Sequence, residues 1–295
     1  MRPVAALALL LSLGISACAG GGATSDEGRV GVVAGFYPLA EAAARVGGER
    51  VAVTNLTPAG AEPHDLELRS SDVDRIEDAA VVLYLGGGFQ PGVADAARRA
   101  DGEVVDLLAP DSGVLEGHTD DSDPHVWLDP VLMARIAERV RTALVEADPG
   151  GRAVYEANAV AYAADVGAID AAYRRGLANC DRRVIVTSHA AFGHLARRYG
   201  LTQHAITGLS PESEPDPERL SELAARVRAE GVTTIFFETL VSPRVAETLA
   251  RETGAGTAVL DPIEGLTEEE RAGGRTYESA MTENLSALRL ALGCR

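Results

Sequence analysis

The sequence predicts an α/β protein of two similar lobes, each a mainly parallel sheet flanked by helices, joined by a long bracing helix, with the ligand in the cleft between them. Three observations carry that expectation. Short β-branched runs alternate with stretches of helical periodicity in the first half of the chain, and the alternation restarts at Val184. Between the two halves, Tyr155, Ala159, Tyr162, Val166, Ile169, Tyr173 and Leu177 recur at three- and four-residue steps. The 295 residues are enough for two domains with their own cores, and 46% hydrophobic with 24% charged residues is a globular composition.

Taken in order, residues 1–17 read as a secretion signal, with Arg2 as the positive start, Val4 to Leu13 as the apolar stretch and small residues before Cys18. The run is too short to span a membrane as a stable helix. Ile15-Ser16-Ala17-Cys18 resembles a bacterial lipobox, in which the Cys becomes lipidated; an ordinary signal peptide with a chance cysteine is the alternative. Residues 18–28 then form a flexible, glycine-rich tether. The first α/β lobe covers 29–149, with strands at 30–34, 51–56, 81–85 and 104–107 and helices at 38–46 and 71–79. Residues 131–147 form a helix that stops at Asp148-Pro149-Gly150. The linking helix lies within 150–179, running over 152–178; a break near Gly167 into two shorter helices is the alternative. In the second lobe, 180–295, strands are expected at 184–187, 204–206, 234–237 and 257–260, and helices at 190–199, 217–229, 243–253 and 276–292.

Composition removes several functions. The formal charge of −17 repels the phosphate backbone of nucleic acids and is compatible with a cationic ligand. All 27 basic residues are arginines. Without lysine there is neither a Schiff-base enzyme nor a Walker-type phosphate loop, and no Gly-x-Ser-x-Gly elbow is present. If Cys18 is lipidated, Cys180 and Cys294 remain, and outside the cytoplasm such a pair is expected to be bridged.

In open α/β sheets ligands sit beyond the carboxyl ends of the strands. Four side chains stand there. His64 follows the second strand, His125 lies in Asp123-Pro124-His125-Val126-Trp127-Leu128-Asp129-Pro130, His189 follows 184–187, and Asp261 follows 257–260. The prolines stiffen the segment around His125 and disfavour helix at Asp123 and Asp129. Three imidazoles and a carboxylate suit Zn²⁺, although their spacing matches no local metal motif.

Several stretches together resemble the zinc and manganese receptors of bacterial ABC importers, the cluster A-I substrate-binding proteins. They are Glu62-Pro63-His64-Asp65-Leu66-Glu67, the Asp123 to Pro130 segment, Ser188-His189-Ala190-Ala191-Phe192-Gly193, Gly208-Leu209-Ser210-Pro211-Glu212-Ser213-Glu214-Pro215 and Leu260-Asp261-Pro262. The resemblance implies metal ligation by His64, His125, His189 and Asp261, with Glu62 as an outer or alternative ligand. Manganese-type members usually carry Glu where His189 stands, so zinc is expected and Mn²⁺ is the alternative. The implied protein is not an enzyme. It is a monomeric lipoprotein on the outer side of the cell membrane, which binds Zn²⁺ and delivers it to an ABC permease with its ATPase subunit. Rival classes are a secreted zinc hydrolase, with Glu62 or Glu238 as base, and an adhesin stabilised by metal. The His-rich loop of many zinc members is missing; the matching region has His118 among acids and reads as a solvated approach, together with Asp120, Asp121 and Asp123. His194 and His204 read as structural.

Overall fold

The computed structural model describes residues 28–117, 123–213 and 215–295. The signal sequence, Cys18 and its lipidation, most of the tether, His118, Asp120, Asp121 and Glu214 lie outside the described residues.

The β-branched runs form two four-stranded parallel sheets. Strands β1 (Val30–Ala34), β2 (Val51–Asn55), β3 (Val81–Tyr84) and β4 (Glu103–Asp106) order as β2-β1-β3-β4. Strands β5 (Val184–Thr187), β6 (Thr202–Ala205), β7 (Thr234–Phe237) and β8 (Gly256–Val259) repeat that order as β6-β5-β7-β8. In each half the chain steps from the central strand to one side, then crosses to the other. The crevice at that reversal opens beyond the carboxyl ends of β1 and β3, and of β5 and β7.

Helices α1 (Tyr37–Gly47), α2 (Ser70–Glu77) and α3 (Pro91–Ala97) flank the first sheet. Then follow α4 (Pro130–Ala147) and α5 (Arg152–Gly176), and in the second half α6 (Gly193–Tyr199), α7 (Pro217–Ala229), α8 (Arg244–Thr253), α9 (Glu268–Ala272) and α10 (Tyr277–Leu292). Helix α4 begins where Pro130 sits at its first turn and Asp129 accepts the Val131 N–H at 2.9 Å. It ends at Asp148, where Pro149 cannot continue it.

Helix α5 is continuous through Gly167, whose missing side chain would face open space. At 1.5 Å per residue it is about 37 Å long. The apolar stripe expected from the sequence is its buried face, with Tyr155, Tyr162, Val166 and Tyr173 at 0–1% exposure. Its two ends are tied to different halves. Asn158 donates to the Val46 carbonyl at 3.1 Å, and the Tyr173 hydroxyl donates to the Met281 carbonyl at 2.8 Å.

One apolar core runs from β1 and β3 through α1, α4 and α5 to Ile185, Phe192 and Tyr277. The halves therefore share buried surface and are not two separate globules. The outer faces of the sheets have smaller cores, under α2 and α3 in the first half and under α7 and α8 in the second. Cys180 and Cys294 are bridged, tying the end of α10 to the chain just past α5 across a sequence separation of 114. Helices α3 and α9 are additions to what the sequence pattern predicted.

Candidate metal centre

His64 sits in a single 3-10 turn, Pro63–Asp65, in the loop after β2. Glu62 opens that turn by accepting the His64 backbone N–H at 3.2 Å. The turn is fixed from β1 and β3: Gln90, buried, donates to the Pro63 carbonyl at 3.3 Å and to the Gly35 carbonyl at 3.1 Å. A Cβ at residue 35 would lie 2.2 Å from Gln90 Oε1, so glycine is needed for this approach. Phe89 lies edge-on to the His64 ring at 4.5 Å.

His125 precedes the 3-10 turn Val126–Leu128. Trp127 packs behind it with ring centroids 5.2 Å apart, and the indole N–H donates to the Pro262 carbonyl at 2.7 Å. The Tyr277 hydroxyl donates to the Trp127 carbonyl at 2.6 Å, and Arg198 pairs with Asp129. The segment that presents His125 is thus clamped from the second half of the chain.

His189 follows β5 directly, at the switch point of the second sheet. Glu238 follows β7 at the same crevice. The His189 Nδ1–H donates to Glu238 Oε1 at 2.7 Å, and Glu238 also accepts the His189 backbone N–H at 3.1 Å. His125 is held in the same way by Asp123, which takes its Nδ1–H at 2.7 Å and its backbone N–H at 3.0 Å. With Nδ1 committed to a carboxylate, each ring turns Nε2 inward towards the other rings and Glu264, the orientation usual for metal-binding histidines. Asp123 is 5% exposed, so it is not part of a solvated approach as its acidic neighbours in sequence implied. Gly193 makes room for it, because a Cβ there would lie 2.5 Å from Asp123 Oδ2.

The three imidazoles meet at Glu264. Its Oε1 lies 3.4 Å from His64 Nε2, 3.3 Å from His125 Nε2 and 3.2 Å from His189 Nε2, and the last two nitrogens are 3.2 Å apart. A tetrahedron with metal–donor bonds of about 2.0–2.1 Å has edges of about 3.3 Å. The four separations thus match edges of such a tetrahedron, and two of the four donors come from each half of the chain. All four lie within 4.8 Å of one another. His125, His189 and Glu264 are 0–1% exposed, and the His64 side chain, at 9%, is the corner nearest solvent.

Without a cation the cluster is held by protons. Burial would lower the His189 pKa, but its bonds with Glu238 and Glu264 outweigh burial and raise it to about 10. His125 is raised in the same sense against its burial by Asp123 and Glu264. Burial would raise the Glu264 carboxyl, yet hydrogen bonds from the three histidines hold it well below the usual range. For Glu62, burial and the Glu264 charge act together and push the carboxyl up to about 8.

Of the residues expected from the sequence, His64, His125 and His189 converge. Asp261 stays outside their group. Its Oδ2 pairs with Arg275 at 2.9 Å, its Oδ1 accepts the Ile263 N–H at 2.7 Å, and the carboxylate grouped with the three imidazoles is that of Glu264, three residues on. Glu62 stands at the edge of the site through the His64 backbone. His194, whose Nε2–H donates to the Asp123 carbonyl at 3.0 Å, and His204, 3.2 Å from Glu230, lie apart from the cluster. Glu264 in the cluster, and Asp123 and Glu238 as hydrogen-bond partners of the histidines, go beyond the residues expected from the sequence. The position of Glu238 after β7, at the switch point, was the available signal. For Glu264 the reading stopped at the strand end, whereas the buried chain runs on to Leu266.

Two parallel α/β halves with a shared core and a nitrogen-rich cation site at their junction define a two-lobed binding protein. The periplasmic zinc-uptake complex component A family, ZnuA, matches residues 32–291, and the chain belongs to that family. The zinc-binding lipoprotein AdcA of Streptococcus pneumoniae is 36% identical over 299 residues, which cover 96% of this chain and 59% of AdcA. The high-affinity zinc uptake system protein ZnuA of Bacillus subtilis is 34% identical over 305 residues, covering 98% and 96%. Among solved structures, the Zn(II)-bound ZnuA-like domain of S. pneumoniae AdcA matches with a TM-score of 0.77 and 37% identity, over 90% of this chain and 99% of that one. The laminin binding protein of Streptococcus agalactiae, described as having adhesin and metal transporting activity, matches with a TM-score of 0.81 and 30% identity, over 89% and 99%. The chain thus spans less than two thirds of the length of AdcA.

Proposed function

We propose that this protein is an extracytoplasmic receptor that binds Zn²⁺ through His64, His125, His189 and Glu264 and delivers it to an ABC permease with its ATPase subunit. The observation that carries the reading is the set of donor separations of 3.2–3.4 Å among four side chains, two from each half of the chain, which matches edges of a tetrahedral cation site. The names of its relatives, given for zinc binding and zinc uptake, agree with it. Three imidazoles and one carboxylate favour zinc over manganese, which prefers more oxygen donors. Zn²⁺ enters past His64, displaces the protons that hold the empty cluster together, and leaves a net charge of about +1 on the ligand set, which Asp123 and Glu238 offset.

No bond chemistry is assigned. Four protein donors fill a tetrahedron and leave no place for an activated water, and Glu238, the carboxylate nearest to a base role, is committed to His189. The chain is read as a signal sequence at 1–17, a lipidated Cys18 with a tether to 28, lobes at 29–149 and 180–295, and a linking helix between them. The receptor is monomeric and stands on the outer side of the cell membrane. Titration with Zn²⁺ in competition with a chelator tests the reading. One tightly and reversibly bound zinc per chain, weakened by His125→Ala by about 100-fold or more and held more tightly than Mn²⁺, is expected. Ester or peptide hydrolysis that depends on added zinc, or zinc removable only by unfolding, would sink it.

A further inference from the structure

Glu264 reaches the imidazoles from an unusual backbone. Ile263, the residue before it, has φ of 56°, and among the described residues it is the only non-glycine with positive φ. A β-branched side chain is the least suited to that conformation, and Ile263 is held in it inside the core. Strain of this kind persists only where neighbouring contacts impose it. The contacts here are specific. Asp261 Oδ1 accepts the Ile263 N–H at 2.7 Å, two residues on, which closes a tight turn. Asp261 is itself fixed on three sides: its N–H donates to Asn284 Oδ1 at 2.8 Å, its carbonyl accepts from Asn284 Nδ2 at 2.6 Å, and its Oδ2 meets Arg275 at 2.9 Å. The carbonyl of Pro262 accepts the Trp127 indole N–H, and beyond Glu264 the Leu266 carbonyl accepts the Gly60 N–H at 2.9 Å.

We infer that Asp261 is a positioning residue for the metal site, which holds Ile263 in the left-handed conformation and so turns the Glu264 carboxylate toward the three histidines. Asp261 does not touch the cation. Released from that hydrogen bond, Ile263 relaxes to ordinary negative φ, the chain from 263 to 265 swings, and Glu264 leaves the fourth corner. The effect of Asp261 on zinc is therefore expressed entirely through Glu264. Buried partners that orient a ligand in this way typically account for about 10- to 100-fold in metal affinity.

The inference rests on Glu264 as the fourth ligand, and a double-mutant cycle separates the two claims. Zinc affinity by chelator competition, and the visible absorption of Co²⁺ loaded in place of zinc, are measured for wild type, Asp261→Ala, Glu264→Ala and the double variant. Asp261→Ala is expected to weaken zinc by about 10- to 100-fold, to give the Co²⁺ spectrum of Glu264→Ala, and to add nothing in the Glu264→Ala background. Asp261→Asn, whose side-chain oxygen still accepts the Ile263 N–H, is expected to recover most of the affinity. If Asp261→Ala does not fold by circular dichroism, Asp261→Ser replaces it, with a hydroxyl that holds the same turn more weakly, and a zinc affinity between wild type and Glu264→Ala is expected, wild-type affinity overturning the inference. Additive losses would make Asp261 an independent ligand and overturn the inference, as would wild-type affinity in Asp261→Ala beside a weakened Glu264→Ala. Wild-type affinity and spectrum in Glu264→Ala would instead overturn the four-ligand reading.

Discussion

The candidate site is a cluster of histidines and carboxylates linked to one another by short N–H···O contacts. His189, with its pKa raised to about 10, is protonated at neutral pH, and a protonated imidazole cannot ligate. Zinc bound as proposed would therefore expel at least one proton. Calorimetry at pH 7 in buffers of different ionisation enthalpy is expected to read about one to two protons released per zinc, with affinity rising as pH rises towards about 10. Identical heats in all buffers would contradict this. The sign for the metal-free fold is the opposite. A raised histidine pKa contributes stability that is fully present below the unfolded value of about 6.5 and is lost as pH rises through about 10. At this scale the sequence spoke unevenly. The histidines were legible because each follows a strand or a proline-stiffened segment. Glu264 was not, because its orientation depends on an isoleucine in a conformation that nothing in the residue type announces.

At the scale of elements, the disulfide closes the second half of the chain. It joins residues 114 apart, and in the loop-entropy model a closure of that length contributes about 4–5 kcal/mol. Cys294→Ser is expected to lower unfolding stability in urea by several kcal/mol, and a change of less than about 1 kcal/mol would show that the bridge constrains little. The extra cost falls on α10, which carries Asn284 and Tyr277 and through them braces Asp261 and Trp127. Long elements were easy to read. The stripe of α5, from Tyr155 to Tyr173, has the period and the burial that the sequence implied. Short ones were not: α9 buries none of its residues and so shows no apolar period, only the capping pair Thr267 and Glu270. Helix α3 is seven residues opened by Pro91, in a stretch that read as a connection.

At the scale of the molecule, the two halves are locked by a common core, by α5, and by the bonds from Trp127 to Pro262 and from Tyr277 to Trp127. A wide hinge rotation would break all of them at once. Small-angle scattering is therefore expected to give the same radius of gyration with and without zinc, and a clear contraction on adding zinc would contradict the rigid reading. Movement is then left to the loops that carry His64 and Glu264, whose far ends meet at the bond from Gly60 to Leu266. Trp127 reports on this junction. It is the chain's only tryptophan, fully buried, tilted against the His125 ring and bonded across the junction. The protein thus carries a single indole, placed where the two halves meet the metal cluster. Its emission is expected to stay at the wavelength of a buried indole with and without zinc, and a red shift on adding zinc would contradict the locked junction.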